Sequence, residues 1–231
     1  CRMKFTSLFN KYSYVPVLMF PPEPGPLFAT YLHALGETLS IALLGTLIAA
    51  VLAFPISVLA SRNVVPLWLT RFLLRRSFDT IRGVDTLIWA LIWISVVGLG
   101  PFAGVLAVAT ADLGAFAKIF SETIETADPK PVEGIRSTGG TAAQEFRFGI
   151  LPQVLPVIAG QILYYFESNT RSATIIGIVG AGGIGLHLSE QIRTLEWQRV
   201  AFLVIMVLIV VAVIDFVSSR LRAAISGAKP I

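Results

Sequence analysis

Residues 38–60 read TLSIALLGTLIAAVLAFPISVLA and contain no charged side chain. This stretch is longer than the roughly 20 apolar residues that a helix needs to cross the hydrocarbon core of a bilayer. The rest of the chain has the same character, since 55% of its 231 residues are hydrophobic and only 14% are charged. Soluble domains carry about 25% charged residues. The sequence therefore predicts an all-α integral membrane protein whose apolar surface has membrane lipid as a partner.

Further apolar segments raise the prediction to about five transmembrane helices. These segments are residues 84–100, 101–120, 150–166 and 199–217. The uncharged run from 86 to 111 is interrupted by GLGP at 98–101. Glycine and proline at that point leave two interpretations, one long span or two spans separated by a break.

The distribution of basic residues favours two spans. One basic cluster follows the first span and a second follows residue 120; the members are Arg62, Arg71, Arg75, Arg76 and Arg82, and then Lys130, Arg136 and Arg147. If both clusters are cytoplasmic, the chain crosses the membrane an even number of times between them. The same parity places the C-terminus in the cytoplasm and residues 168–198 outside, although Arg171 and Arg193 weakly oppose the rule. Asp112 and Lys118 in the third span are expected to snorkel or to face protein.

The formal net charge of +4 arises from 18 basic and 14 acidic residues. Many arginines flank apolar runs, so we interpret the excess as facing anionic lipid and expect no nucleic acid partner. Cys1 is the only cysteine, and His33 and His187 are the only histidines. The sequence therefore predicts neither a disulfide framework nor a metal site.

The polar stretch DPKPVEGIRSTGGTAAQEFRFGILP, residues 128–152, contains local signals for two short helices. Asp128 can cap a helix with Pro129 in its first turn, and Gly139 can end that helix. Thr141 with Gln144 is typical of a capping box that opens a second helix. Two short helices at an angle, leading into the next span, would form a rigid cytoplasmic lever for a soluble partner.

This stretch resembles the EAA loop of the type I ABC importer permeases. The resemblance implies that the ATPase-coupling loop includes Glu133, Gly134, Ile135, Gly139, Leu151 and Pro152. The glutamate, the Gly139 position and the Leu-Pro pair keep the family's spacing. In that family the loop docks into a cleft of a separate ATP-binding subunit. The chain departs from the pattern at Gly134 and Ile135, where alanines are usual, and at Gly149, where an aliphatic residue is usual.

A glycine cluster in ATIIGIVGAGGIGLHL, residues 173–188, allows two interpretations. Gly180, Gly182 and Gly185 follow the GxGxxG order of a dinucleotide-binding turn. That fold needs an acidic residue about 20 positions further on, where Ile205 lies within an apolar run. We therefore favour a membrane role, and this leaves close helix packing and a gate as equal alternatives. The glycines concerned are Gly177, Gly180, Gly182, Gly183 and Gly185.

The string FESNTRSATIIGIVGAGGIG, residues 166–185, and GLGPFAGVLA, residues 98–107, resemble the phosphonate-importer permeases. With the EAA region, the resemblance extends from about residue 30 to the C-terminus. It implies a multi-pass protein of the bacterial cytoplasmic (inner) membrane, with an ABC ATP-binding subunit and a periplasmic or extracellular substrate-binding protein as partners. The chain itself then needs no cofactor, since ATP is bound by the partner. One bundle offers half of a pathway, so we expect a permease homodimer.

We divide the chain into three parts. Residues 1–30, which include PPEPGP, are interpreted as the remnant of a truncated or mis-started region. Residues 31–220 form the predicted permease domain, and residues 221–231 a cytoplasmic basic tail.

Glu167, Asn169 and Arg171 are predicted to lie where the fourth span leaves the membrane, at the outer mouth of the pathway. Arginine can pair with an oxyanion through its planar fork. The competing interpretation is an internal pair between Glu167 and Arg171 at helical spacing.

Other functions remain as alternatives to phosphonate import. They are a permease for phosphite, phosphate or another small solute, a membrane-bound enzyme, and a structural anchor. The sequence contains no Walker lysine in a GxxxxGK[ST] loop and no nucleophile with a base arranged by motif. We therefore predict a transport subunit and not an enzyme.

Overall fold

The computed structural model describes residues 19–23, 25–63 and 68–226. Most of the predicted N-terminal segment and the last five residues of the predicted tail lie outside this part. After a 3-10 turn at Gly25–Leu27, the described helices are α1 Phe28–Ala60, α2 Trp68–Arg82, α3 Thr86–Val97, α4 Pro101–Glu125, α5 Pro129–Ser137, α6 Ala142–Gln144, a π-helix Glu145–Ile150, α7 Leu151–Ile178, α8 Ile184–Arg193 and α9 Trp197–Ser226. The described ranges contain no strand.

Four segments among the described residues are long and apolar enough to cross a membrane. They are Gly25–Ala60, Pro101–Glu125, Ala142–Ile178 and Trp197–Ile225. A fifth crossing is made if α2 and α3 act together, since Arg71–Arg82 and Thr86–Val97 pass the same test as a pair bent by 87°. The all-α architecture with about five spans is confirmed.

The predicted crossing at 84–100 contains a helix that is too short to span the membrane by itself. The helix there, α3, has 12 residues, which at 1.5 Å per residue is about 18 Å, shorter than the roughly 30 Å hydrocarbon core. Asp85 begins it by accepting a hydrogen bond from the Leu87 amide at 2.8 Å, and Gly98 ends it with φ 92°. A membrane crossing between α1 and α4 therefore needs α2 together with α3.

The predicted bounds of the other spans are too narrow. Helix α1 begins at Phe28 and not at residue 38, because Glu37 does not stop the helix: its carboxylate accepts a hydrogen bond from the Gly183 amide at 3.2 Å. Helix α4 continues to Glu125, α7 to Ile178 and α9 to Ser226. Charged side chains near the predicted ends include paired ones, since Glu125 of α4 pairs with Arg75 and Glu167 of α7 pairs with Arg222 of α9.

Helices α1 and α4 run in the same direction, and α7 runs against them. At one end of the bundle, Asn63 Nδ2 donates to the Ile124 carbonyl at 3.2 Å. At the other end, the Gly100 amide donates to the Gly180 carbonyl at 3.1 Å, which joins the start of α4 to the end of α7. The stretches after α1 and after α4 therefore lie at the same end, as the parity of the basic clusters predicted.

Small residues allow α1 and α4 to pack closely. Ala42, Ala49 and Ala107 are fully buried. A Cβ on Gly45 would lie 2.6 Å from Val108 Cβ, so the two helices approach each other more closely there than a larger residue allows. This contact forms the centre of the bundle, with the two proposed functional regions at its opposite ends.

Candidate functional site

The first region is the turn after α4, where local sequence signals are confirmed by the structure. The Asp128 carboxylate accepts a hydrogen bond from the Lys130 amide at 3.0 Å and caps α5. Helix α5 ends at Ser137, and Gly139 follows with φ 81°. The Gly140 amide then donates to the Ile135 carbonyl at 3.1 Å. This is the glycine-dependent helix end that the sequence predicted.

The predicted second short helix is not a separate element. The capping box forms, since the Thr141 amide donates to Gln144 Oε1 at 2.8 Å. The helix that it opens, α6, is only three residues long and continues through the π-helix into α7. Pro152 has no amide hydrogen, and the Leu151 amide donates five residues back to Phe146. The widened turn therefore lets the helix pass this proline without a break.

Three side chains that sequence reasoning missed hold α5 against the start of α7. Arg136 donates to Glu145 through two bonds, Nε to Oε1 at 3.0 Å and Nη2 to Oε2 at 2.8 Å. The Glu145 carboxylate raises the pKa of the exposed Arg136 guanidinium. Gln153 accepts from the Asp128 amide at 2.9 Å and donates to the Gly149 carbonyl at 2.6 Å. Residues nine or 25 positions apart give no periodic signal, so the sequence alone could not pair them.

Gly149 has a packing role that explains its departure from the family pattern. A Cβ at this position would lie 3.0 Å from Val132 Cγ2 and 3.2 Å from Val132 Cα. An aliphatic side chain here would push α5 away from the π-helix. The lever in this chain is therefore packed more closely than an aliphatic residue would allow.

The residues predicted to contact an ATPase lie on α5, in the turn after it and at the start of α7. Glu133, Gly134, Gly139 and Pro152 are exposed, whereas Ile135 and Leu151 are partly buried. A cleft of about 300 Å³ between α5 and the segment formed by α6 and the π-helix has Glu133, Arg136 and Glu145 in its wall. Their role in coupling stays a prediction.

The second region lies at the opposite end of the bundle, in the turn from α7 to α8. The Gly183 amide bonds Glu37, as described above, and the Ile184 amide donates to Thr38 Oγ1 at 2.9 Å. Gly183 has φ 73°, and a Cβ there would meet Thr38 Oγ1. These bonds fasten the turn to α1.

The remaining glycines of the cluster sit in the same contact. A Cβ on Gly177 would lie 2.5 Å from the Gly182 carbonyl, and one on Gly185 would meet the Thr174 carbonyl. Gly180 accepts the bond from Gly100, and beside the turn lies an open cleft of about 820 Å³. The glycines therefore lie in contacts that are too close for a side chain, which is compatible with the packing interpretation. The strand that a dinucleotide-binding turn requires before it is not found among the described residues. A gating role stays a prediction.

Asn169 does not lie at the end of a span, because α7 continues to Ile178. It is buried, with Nδ2 donating to Thr46 Oγ1 at 2.8 Å and to Asp112 Oδ2. Asp112 is 6% exposed and Thr46 is fully buried, so this polar group joins α1, α4 and α7 inside the bundle. Asp112 faces protein, as one of the two sequence interpretations expected.

Glu167 and Arg171 also lie inside α7, and their predicted position at its end is wrong. The two side chains approach to 3.6 Å, the internal pair that the competing interpretation described. Each has a further partner on α9, Arg222 at 2.9 Å from Glu167 and Asp215 at 3.3 Å from Arg171. The pairs hold α9 to α7, and a role for these residues in a pathway stays a prediction.

Replacing Asn169 with leucine should lower the free energy of unfolding by about 2–3 kcal/mol, because the Asp112 carboxylate would stay buried without a donor. The measurement is unfolding of the purified chain in detergent. Ser168→Ala, a substitution of the neighbouring residue, should change the free energy of unfolding little. The double variant with Asp112→Leu should recover part of the loss, and equal stability of Asn169→Leu and the wild type would contradict this assignment.

A comparison with known families finds one match over most of the chain. The model described as "Binding-protein-dependent transport system inner membrane component" matches residues 53–227. HtxC of Stutzerimonas stutzeri, provisionally named a phosphite transport system permease protein, is 38% identical over 233 residues, which cover 99% of this chain and 82% of that relative.

A second relative and one solved structure extend the comparison. The phosphate-import permease protein PhnE of Mycolicibacterium smegmatis is 37% identical over 205 residues, 89% of this chain and 38% of that relative. An inward-facing structure of the MetNI methionine ABC transporter is 18% identical with a TM-score of 0.75, and the match covers 88% of this chain and 99% of that one. The solved structure supports the fold alone, which is that of the type I importer permeases.

Proposed function

Because this chain belongs to the family of binding-protein-dependent transport system inner membrane components, we propose that it lines half of the pathway of an ATP-driven importer and couples that pathway to a separate ATPase. The observation that carries the proposal is the lever formed by α5, α6 and the π-helix, which leads into α7. It projects from the end of the bundle, presents Glu133, and is stiffened by the Arg136–Glu145 fork.

The substrate class that we propose is a phosphorus oxyanion, with a phosphonate, phosphite or phosphate as its members. HtxC is named for phosphite and PhnE for phosphate import, and residues 166–185 resemble phosphonate importers. These anions share a tetrahedral phosphorus centre with negatively charged oxygens. In this family a separate binding protein delivers the substrate, so the permease itself can carry little ligand chemistry.

The orientation follows from the lever. With the lever in the cytoplasm, Arg62 and the C-terminal end of α9 lie on the same side, and the glycine turn faces outward, where the binding protein would dock. Lys130 and Arg136 then obey the preference of basic residues for the cytoplasm. ATP is bound by the ATPase and not by this chain.

The working unit would contain two copies of this chain, since one bundle offers one wall of a pathway and two-fold pairing closes it. Each copy would carry one ATPase subunit on its lever. Native mass spectrometry of the purified importer should give two permease and two ATPase chains. A fully active complex with a single copy of this chain would contradict the homodimer.

Growth on a single phosphorus source tests the substrate class. A bacterial strain without other phosphorus importers, given this chain with its ATPase and binding protein, should grow on at least one of phosphonate, phosphite and phosphate. Growth should stop when this chain alone is omitted. Growth that is independent of this chain on all three sources would overturn the proposed substrate class.

A further inference from the structure

Three arginines and two aromatic side chains meet at the lever end of the bundle, outside the lever itself. They line a cavity of about 320 Å³ between the end of α1 and the first half of α2; its wall is formed by Arg62, Trp68, Arg71, Phe72 and Arg75. The wall contains no acidic side chain. We call this cavity the basic pocket.

Positive charge in the basic pocket is only partly compensated. Glu125 is the one carboxylate paired with its arginines in the described part of the chain, 2.5 Å from Arg75 Nη2 and 4.0 Å from Arg62 Nε. Arg71 makes no hydrogen bond or ion pair within the described ranges. Three cations therefore face one carboxylate.

Two donors in the pocket are also without acceptors. The Nε atoms of Arg71 and Arg75 are buried and have no hydrogen-bond partner among the described residues. A buried donor without an acceptor is unfavourable and rare in folded proteins. Both atoms belong to guanidinium groups, whose planar fork matches the oxygens of phosphate. The described residues supply no acceptor for either atom, and the oxygens of a phosphate group have the geometry to accept from both guanidinium groups.

The surface beside the pocket is apolar and exposed. Trp68 is 69% exposed and stacks on Phe72 with ring centroids 5.6 Å apart, and Leu69 and Leu73 are exposed on the same helix. Aromatic rings next to arginines at the end of a bundle of spans are typical of the interface between hydrocarbon and lipid headgroups. A soluble anion would use only the arginines, whereas a lipid would use both features.

We propose that the basic pocket binds the phosphate of an anionic phospholipid, with Arg71 and Arg75 donating to its oxygens and Trp68 and Leu73 contacting its acyl chains. The leaflet on the lever side would supply this lipid, and basic pockets at that surface bind such headgroups. The proposal requires that this chain lies in a membrane, as members of its family do, and is independent of which substrate the importer carries.

The test uses the permease purified with its ATPase and compares retention of phosphatidylglycerol, phosphatidylcholine and inorganic phosphate by native mass spectrometry. The wild type should retain phosphatidylglycerol in preference to phosphatidylcholine. Arg71→Gln should weaken that retention about tenfold. This variant leaves the Arg75–Glu125 pair in place, so the bundle should remain folded.

Arg76→Gln is the matched control, because it removes the same charge from the same helix outside the pocket. Arg76 lies 3.8 Å from Asp79 and above the Phe72 ring. Its loss should change phosphatidylglycerol retention less than about twofold, the change expected where one charge is lost outside the site. Equal effects of the two variants, or no effect of Arg71→Gln, would overturn the proposal.

Two further outcomes would also overturn the lipid assignment. Inorganic phosphate could bind in an Arg71-dependent manner while neither lipid is retained, and the pocket would then take soluble phosphorus oxyanions. Alternatively, Arg71→Gln could release the ATPase with lipid retention unchanged, and the pocket would then be a protein contact.

Discussion

Replacing Gly183 with leucine should abolish uptake while the chain still inserts into the membrane. Gly183 has φ 73° and ψ −166°, a backbone conformation that is populated almost only by glycine and costs a residue with a Cβ on the order of 1–3 kcal/mol. A side chain would also meet Thr38 Oγ1 and lie 3.3 Å from Thr38 Cα. The turn would have to leave α1, and it would lose the two amide bonds to Glu37 and Thr38. Uptake of labelled substrate into vesicles is the measurement.

Gly160→Leu provides the control for a leucine introduced into the same part of the chain. Gly160 lies within α7 with no atom within 4 Å of a Cβ placed there, so the variant should retain most of its uptake. The thermal stability of Gly183→Leu separates the two roles of the glycine cluster. Lost uptake with unchanged stability would favour a gate, whereas loss of both would favour packing. Full uptake by Gly183→Leu would contradict both roles.

Replacing Gly139 with valine should uncouple ATP hydrolysis from uptake. Gly139 has φ 81° and no atom within 4 Å of an added Cβ, so the obstacle is the backbone conformation and not space. A β-branched residue resists this conformation strongly. The end of α5 would reorganise and Glu133, which faces solvent on that helix, would shift. Glu133→Lys should have the same effect by reversing the charge that faces the ATPase.

The control is Gly139→Asn, because asparagine adopts positive φ more readily than valine. This variant should keep most of its coupling, and so should Gly134→Ala, which adds a helix-favouring side chain into open space. The measurement is the number of substrate molecules taken up per ATP hydrolysed. If Gly139→Val, Glu133→Lys and the wild type take up the same number of substrate molecules per ATP and assemble equally with the ATPase, the lever has no role in coupling.

Local signals explain which parts of this fold could be predicted. The cap at Asp128, the turn at Gly139 and the capping box at Thr141 each involve residues within a few positions of one another, and all three form. The long apolar run of α1 is equally local, because its composition alone requires a membrane. Residues 128–141 were therefore accessible to sequence reasoning.

Contacts between distant residues explain what could not be predicted. Asn169 and Arg171 were expected to end a span because they are polar, but their partners on α1, α4 and α9 lie 123, 57 and 44 positions away. Glu37 remains inside α1 since its partner, Gly183, is 146 positions away. Helices α2 and α3, which are bent by 87° relative to each other, both pack against α4, a contact between segments distant in sequence. Helix ends that depend on tertiary partners carry no local signal.

We propose that this chain forms part of an importer that takes up a phosphorus oxyanion at the expense of ATP hydrolysed by a partner. The most direct test measures accumulation of a labelled phosphonate, phosphite or phosphate in vesicles whose membrane contains this chain and its ATPase. ATP is enclosed inside the vesicles, and the binding protein and the labelled substrate are added outside. We predict accumulation against a gradient of at least one of these anions that requires ATP, the binding protein and this chain together. Accumulation that persists without ATP or without this chain, or none of any of the three anions with all components present, would contradict the claim.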